Sequence, residues 1–300
     1  MSSQQYQDNI ATVLTKIREA EAVVVGGASG MSTANGHNFY ERSKYWIDHF
    51  SDFERKYGIR NNFDALYYKY PTSEERWAYL SKHATLMFDT PPGQTYRDLH
   101  QIIKDKNYFI ISTNQNMQFS KLFSDEKMYF PQGDAHWLQC SMPCHDQVYP
   151  AEEVVRNMAS LIEDTRVPIE LIPKCPECGG EMEPWIRSYD FLEGSFWGNM
   201  LNKYKAFLNE NWNKKIVFIE LGVGPMTPNI IKYPFSKMTF KWPQAFLIRI
   251  NIGESPTSIE LRDKAITFDA NIAHVLSDLA LHLNSFGGRE FLKKERSCVE

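Results

Sequence analysis

Four of the five cysteines in this chain fall into two tight pairs, Cys140-x-x-x-Cys144 and Cys175-Pro-Glu-Cys178, with residues 145 to 174 between them. Each pair fits on one turn, and the intervening stretch is long enough to bring the two turns face to face, as a tetrahedral thiolate site for zinc requires. A set of unpaired buried thiols is the plainer account, since free Cys is often buried. Four of five cysteines at ligand spacing favour the metal. With every ligand a thiolate, no position is open for a substrate, so the expected zinc is structural. A second pattern lies near the N-terminus, where Ala22-Val-Val-Val-Gly26 runs into Gly27-Ala-Ser-Gly-Met-Ser-Thr-Ala-Asn-Gly36. The apolar run reads as a strand buried on both faces. The glycines let the backbone come close to a diphosphate, and a helix starting near Ser32 would point its N–H groups at it. Strand, glycine turn and helix together point to a nucleotide.

The elements that must hold these groups alternate between strand and helix. A helical stripe (Ile10, Val13, Leu14, Ile17) precedes the first strand, and the segment from Thr95 to Lys106 reads as another helix. Tyr108-Phe-Ile-Ile-Ser-Thr113 is a second buried strand ending in Asn114-Gln-Asn-Met-Gln118, and Ile216-Val-Phe-Ile-Glu-Leu221 a third ending in Gly222-Val-Gly224. Ala245-Phe-Leu-Ile-Arg-Ile-Asn251 is a fourth, and a helix from Ala270 to about Phe286 closes the pattern. The expected fold is α/β: a Rossmann-like parallel sheet with helices on both faces, a helical insertion and a smaller zinc-ribbon domain. The expected division is a Rossmann-like domain over 1–133 and 215–300, its helical insertion at about 37–95, and a zinc-binding domain with its following helix over 134–214. The insertion is rich in aromatics, which read as packing. A hydrophobic share of 43% is ample for a core, and a net charge of −4 gives no nucleic-acid footprint. No segment approaches the ~18 apolar residues of a membrane span. The polar start and the metal-bound cysteines predict a cytoplasmic protein.

Taken in order, these pieces resemble the sirtuins over about residues 22 to 255, and more closely the macrodomain-linked sirtuins called class M. Three strings carry the closer likeness: Thr113-Asn-Gln-Asn-Met-Gln-Phe119, Tyr129-Phe-Pro-Gln-Gly-Asp-Ala-His-Trp-Leu-Gln-Cys140, and Glu220-Leu-Gly-Val-Gly-Pro-Met-Thr-Pro-Asn-Ile-Ile-Lys-Tyr-Pro-Phe235. The resemblance implies NAD as cosubstrate, bound between sheet and zinc domain. It places Gly27, Ala28, Ser29, Gly30, Met31 and Ser32 at the diphosphate and adjacent ribose, and Asn114 beside the nicotinamide ribose. Gly222, Val223, Gly224, Thr227 and Pro228 belong to the loop under the adenosine ribose, and Asn251 matches the Asn on the adenine side. The implied activity is mono-ADP-ribosyl transfer to a protein, with a lipoylated glycine-cleavage-H-like carrier as acceptor and a macrodomain hydrolase to reverse it.

Departures from the family bear on the chemistry. Deacylating sirtuins have His where this chain has Gln132, and a Gln amide cannot take the ribose proton that completes acyl transfer. Their Pro-Asp-Phe-Arg string is replaced by Gly36-His-Asn-Phe-Tyr40. Breaking the nicotinamide–ribose bond needs no such base, and an acceptor carboxylate attacking C1′ then gives ADP-ribosyl transfer. Asn114 and Gln132 are therefore the expected catalytic pair, orienting groups rather than moving protons. Asn116 stands where the subfamily has Asp, Leu122-Phe123 where it has Ala-Gly, and Gly26-Gly-Ala-Ser-Gly30 where it has Gly-Ala-Gly-Ala-Gly. His136 is the nearest substitute base, and residues Tyr189 to Trp197 either shape the acceptor site or serve as an apolar contact between domains. Two other readings remain: a lysine deacylase that copes without the His, and a non-catalytic NAD or ADP-ribose binding module. Cys298 has no assigned role.

Overall fold

The computed structural model describes residues 2–253 and 255–283. Along the chain run α1 (Ser3–Glu19), β1 (Ala22–Gly27), α2 (Ser29–Ala34), α3 (Lys44–Tyr57), α4 (Asn62–Tyr67), α5 (Ser73–Asp89), α6 (Gln94–Ile103), β2 (Tyr108–Ser112), β3 (Met128–Tyr129), β4 (Gly133–Cys140), β5 (Tyr149–Pro150) and α7 (Glu152–Ser160). Then follow β6 (Met182–Ile186), α8 (Ser195–Asn211), β7 (Ile216–Leu221), α9 (Lys232–Lys241), β8 (Ala245–Ile250) and β9 (Ala265–Phe268). A helix over 272–283 comes last among the described residues. The expected continuation to Phe286 lies outside them, as does Cys298.

Six strands form one sheet in the order β3-β2-β1-β7-β8-β9, every pairing parallel. The four strands expected from the sequence are its centre, each buried along its length. Their alternation divides the core in two. Val23, Val25, Ile110, Val217, Ile219 and Ile248 pack with α1, α6 and the helix over 272–283, while Val24, Phe109, Ile111, Phe218 and Leu247 pack with α8 and α9. The edge strands β3 and β9 were not expected. They are short, and β9 is only partly buried, so neither carries a long apolar run.

The chain moves outward from β1 through β2 to β3, returns to β7, and moves outward the other way. Strand order thus reverses between β1 and β7, the place where open α/β sheets form a crevice at their carboxyl ends. Here Gly30 packs against Gly222: a Cβ on Gly30 would lie 2.6 Å from Gly222 Cα, and Gly222 has φ +66°. Only glycine lets these two loops meet.

A second sheet, β5-β4-β6, is antiparallel and ends at the cysteines. The aromatic insertion packs here rather than on the large sheet. Trp46, Phe50, Phe53, Trp77 and Tyr79 share one core with Leu138, Cys140, Val155, Met158 and Cys175. The α3 helix starts at Ser43, whose side chain accepts from Trp46 N–H, and stops at Gly58 with φ 72°. The sequence breaks expected at Gly58 and Pro71 separate the three insertion helices. No helix among the described residues is long and apolar enough to cross a membrane.

Candidate functional site

The cysteines meet as their spacing predicts. Cys140 ends β4, Cys144 sits four residues on, and Cys175 and Cys178 occupy a turn closed by Cys175 N–H to Gly180 O (2.7 Å) and Gly179 N–H to Cys175 O (2.8 Å). All four sulfurs lie within 4.8 Å of one another, with Cys140–Cys178 at 3.7 Å and Cys144–Cys175 at 3.6 Å. A tetrahedron of thiolates at the ~2.3 Å Zn–S bond has sulfurs roughly 3.8 Å apart, so the cluster fits zinc as a closed, structural site. His145 Nδ1 lies 3.1 Å from Cys144 Sγ and its Nε2 2.8 Å from Tyr149 OH, which places it beside the ligands with four thiolates already available.

A cleft of about 500 Å³ opens at the strand-order reversal. Ala28, Ser29, Ser32, Asn114, Gln132, Gly224 and Thr227 line it, so the loops after β1, β2 and β7 and the residue before β4 do converge. Larger hollows lie elsewhere on the surface, one between α3, α5 and the α7 side, where Lys82 pairs with Asp52 and Lys56 with Asp164.

The remaining predicted nucleotide residues are not among those that line the cleft. Gly30 N–H donates to Gly222 O (3.1 Å), Met31 N–H to Ala28 O (2.9 Å), and Gly222 N–H to Ile250 O (3.1 Å). Of the amides expected to face a diphosphate, that of Gly30 ties this loop to the loop after β7 and that of Met31 closes a turn within its own loop, and the helix they begin starts at Ser29, earlier than expected. Met31 is fully buried, and Gly27 abuts the Phe119 ring. Asn251 Nδ2 donates to Val223 O (3.1 Å), pinning the loop after β8 to the loop after β7. Pro228 O accepts from Tyr233 N–H (3.0 Å) at the start of α9.

Asn114 is buried, and its Nδ2 donates to Ala28 O (2.9 Å), joining the second loop to the first. Asn116 donates to Ser32 Oγ (2.9 Å) and Tyr96 OH (3.1 Å). An Asp here would accept from these two hydroxyls instead of donating to them, so the amide reverses the direction of the network. The Gln118-Phe119 string has a structural meaning too: Gln118 Oε1 accepts from Gly93 N–H (2.8 Å) at the start of α6, and Phe119 packs under the glycine turn.

Gln132 is half-buried on the cleft wall, and its carbonyl accepts from Arg187 N–H (2.9 Å). Arg187 itself reaches the cleft. Its guanidinium lies 4.1 Å from the Phe191 ring centre, donates to Pro131 O (2.7 Å), and pairs with Glu193. The segment from Tyr189 to Trp197 thus acts as an apolar strap that holds Arg187, with Trp197 Nε1 donating to Pro131 O. His136 is absent from the residues lining the cleft. It is held by Asp134 and sits edge-on to Phe88 at 5.2 Å, away from the role of substitute base.

Sequence reasoning missed the opposite wall. Phe39, Tyr40, Asn62, Phe63, Leu66, Tyr67 and His83, all from the insertion, face the nucleotide loops across the cleft. Tyr40 and Tyr67 remain 42% and 57% exposed, as the core reading does not require. Their clustering within one insertion was the available signal.

No family model matches the chain. It is 33% identical over 261 residues to a protein ADP-ribosyltransferase of Staphylococcus aureus, across 85% of this chain and 82% of that protein. A probable bifunctional ADP-ribose hydrolase/ADP-ribosyltransferase of Fusarium oxysporum f. sp. cubense is 23% identical across 87% of this chain and 45% of its own length. Among solved structures, a Sir2 homologue in complex with NAD aligns with a TM-score of 0.58 at 15% identity, covering 92% of this chain and 94% of its own. Sir2Tm bound to a propionylated peptide gives 0.57 at 16%, covering 93% and 98%. The solved structures share the fold.

Proposed function

The chain belongs to the sirtuin-type protein ADP-ribosyltransferases, and from that premise we propose that it binds NAD across the crevice and transfers one ADP-ribosyl group to a carboxylate of a protein acceptor. Ser29, Ser32, Gly224 and Thr227 line the part of the cleft that takes the adenosine diphosphate. Asn114, Gln132 and Arg187 border the nicotinamide ribose.

The observation that carries this reading is the absence of a proton acceptor. Among the described residues that line the cleft there is no Asp or Glu, Gln132 stands where a base would be needed, and burial lowers the pKa of His83, the one imidazole, to about 4. Acyl transfer requires removal of a ribose hydroxyl proton. A carboxylate acceptor requires none. As the C1′–N bond breaks, its electron pair leaves with nicotinamide, and a carboxylate oxygen forms the new bond to C1′. Positioning supplies the assistance, since the reacting groups need only be held close and aligned. Among the described lining residues Arg187 alone is charged; its guanidinium pairs with Glu193 and bonds Pro131 O, so an incoming carboxylate would share or displace Glu193 there.

We further propose a lipoylated glycine-cleavage-H-like carrier as the acceptor. Supporting this, the cleft mouth is apolar, with Tyr40, Phe63, Leu66, Tyr67 and the 65%-exposed Met226 around it, a surface suited to a long aliphatic arm. The pairing of hydrolase and transferase in the Fusarium relative's name supports a macrodomain partner that removes the group. Intact mass of a lipoylated carrier after incubation with this protein and NAD, beside an unlipoylated control, tests the assignment. A gain of one ADP-ribose on the lipoylated form alone is expected. Nicotinamide release without any gain would overturn the carrier, and no release would overturn transfer.

A further inference from the structure

The orientation of the Asn114 amide is set by the protein itself. Both amide hydrogens are engaged, one by Ala28 O (2.9 Å) and one by the Tyr96 hydroxyl (3.4 Å). A backbone carbonyl can only accept, so Ala28 O decides which end of the amide points inward. The Oδ1 atom has no partner among the described residues, and Asn114 lines the cleft. The polar atom left for a ligand is therefore an acceptor.

Tyr96 stands behind this arrangement and is not among the residues that line the cleft. It is fully buried in α6, its ring edge-on to Phe119 at 5.0 Å. Its hydroxyl oxygen also meets Asn116 Nδ2 at 3.1 Å, and Ser32 is its third hydrogen-bond neighbour. Asn116 is oriented in turn: its Oδ1 accepts from Gln118 N–H (3.4 Å), and its NH2 also reaches Ser32 Oγ (2.9 Å). With two amide hydrogens on the phenol oxygen, the phenol proton is left for Ser32 Oγ. Burial raises the Tyr96 pKa above its ordinary value, more than the bonds to Asn116, Ser32 and Asn114 lower it, so the hydroxyl keeps that proton. One buried hydroxyl thus ties α6 to α2 and to the loop after β2.

We propose that Tyr96 is a positioning residue for transfer: its hydroxyl fixes the plane of the Asn114 amide and so keeps Oδ1 on the nicotinamide ribose. The proposal rests on the NAD reading above. Ala28 O holds one amide hydrogen and permits rotation about that bond, and the Tyr96 bond supplies the second point that fixes the plane. As the bond from C1′ to nicotinamide breaks, positive charge gathers on the ribose. A fixed carbonyl oxygen favours that charge and can accept from a ribose hydroxyl, whereas an N–H turned to the same place would oppose it. Tyr96 touches no substrate and acts through Asn114.

Tyr96→Phe keeps the ring and its packing on Phe119 and removes only the oxygen. In the full chain, kcat for nicotinamide release should fall about tenfold, while KM for NAD and Kd for ADP-ribose change less than about twofold. Because the effect passes through Asn114, the double variant Tyr96→Phe/Asn114→Ala should be no slower than Asn114→Ala alone. An unchanged kcat in Tyr96→Phe would overturn the proposal. So would losses that multiply in the double variant, or an equal fall in ADP-ribose affinity, since either would mean a general structural role. A wild-type chain that releases no nicotinamide would instead remove the transfer reading. Tyr96 would then be judged by the crystal structure of Tyr96→Phe, where an Asn114 amide rotated from its wild-type plane supports the positioning role and an unmoved amide overturns it.

Discussion

The cysteine cluster and the nucleotide cleft are built on opposite plans. Four identical ligands on two short turns make the first, and the sulfurs sit where one metal ion would put them. The second draws on segments from Ala28 to Thr227, each supplying a different group, and much of it is backbone. Strand β4, running from beside Gln132 to Cys140, joins them directly, and the aromatic insertion joins them again: its core is continuous with the cysteine module, while Phe39, Phe63 and His83 reach the cleft. A metal site defined by local stereochemistry thereby supports one wall of a cleft that is not.

Removing zinc is the harshest way to break this comparison. Zinc-binding free energies of ~10 kcal/mol or more are folding free energies in small metal modules. Chelation, or Cys175→Ser, should melt the β4–β6 module and release the shared core, so the insertion loses its support and nucleotide binding falls with zinc content. Thermal unfolding and metal analysis on one sample would show the two losses together. Binding that survives full metal loss would mean that the insertion stands without the cysteines.

A lesion at the other pole should separate them. Gly222→Ala places a methyl 2.5 Å from Gly30 Cα at a residue whose φ of +66° already disfavours any side chain. The two loops must part, at a cost of ~1–3 kcal/mol for overpacking, which corresponds to roughly tenfold to hundredfold weaker NAD binding. Zinc content should be unchanged. If NAD binding is also unchanged, the Gly30–Gly222 contact is not the hinge of the nucleotide site.

Sharper still are changes that leave both regions standing. Gln132→Ala removes an amide on the cleft wall, and Asn114→Ala removes the donor to Ala28 O. Each should lower transfer by about 10- to 100-fold as orientation is lost, with zinc and ADP-ribose binding retained. Rapid-quench measurement of nicotinamide release reads the effect, and transfer that persists in both variants would reassign the chemistry to other residues.

What the sequence made legible follows the same division. The cysteines could be read because a tetrahedral ion imposes short spacings along the chain, and β1, β2, β7 and β8 because burial on both faces demands unbroken apolar runs. Strand β9 could not, since an edge strand with Ala265, Ile266 and Thr267 only partly buried lacks such a run. The insertion was visible as aromatic helices, but an aromatic that packs and one that faces a ligand have the same composition. Only the tertiary placement of Tyr67 and His83 tells them apart. The glycine loop shows a subtler limit: the N–H groups of Gly30 and Met31 are spent on Gly222 O and Ala28 O. A motif fixes the path of a loop without fixing what each donor meets.

The smallest effect tests where the two regions adjoin. Asp134 in β4 is buried, accepts from His136 N–H (2.8 Å), and contacts the His136 ring nitrogen. Burial alone would push the imidazole down, but the Asp134 carboxylate more than reverses this and holds its pKa above the ordinary 6.5. The folded chain therefore binds that proton more tightly than the unfolded chain. The contribution is fully present below about pH 6.5 and is lost as pH rises through the raised folded value. With the ring partly open to solvent its size stays under about 1 kcal/mol. Asp134→Asn should abolish this dependence and destabilise more at pH 6 than at pH 8. Denaturant melts of both forms at the two pH values measure it, and an equal loss at both would mean that the pair acts through its hydrogen bonds alone, with no charge on His136.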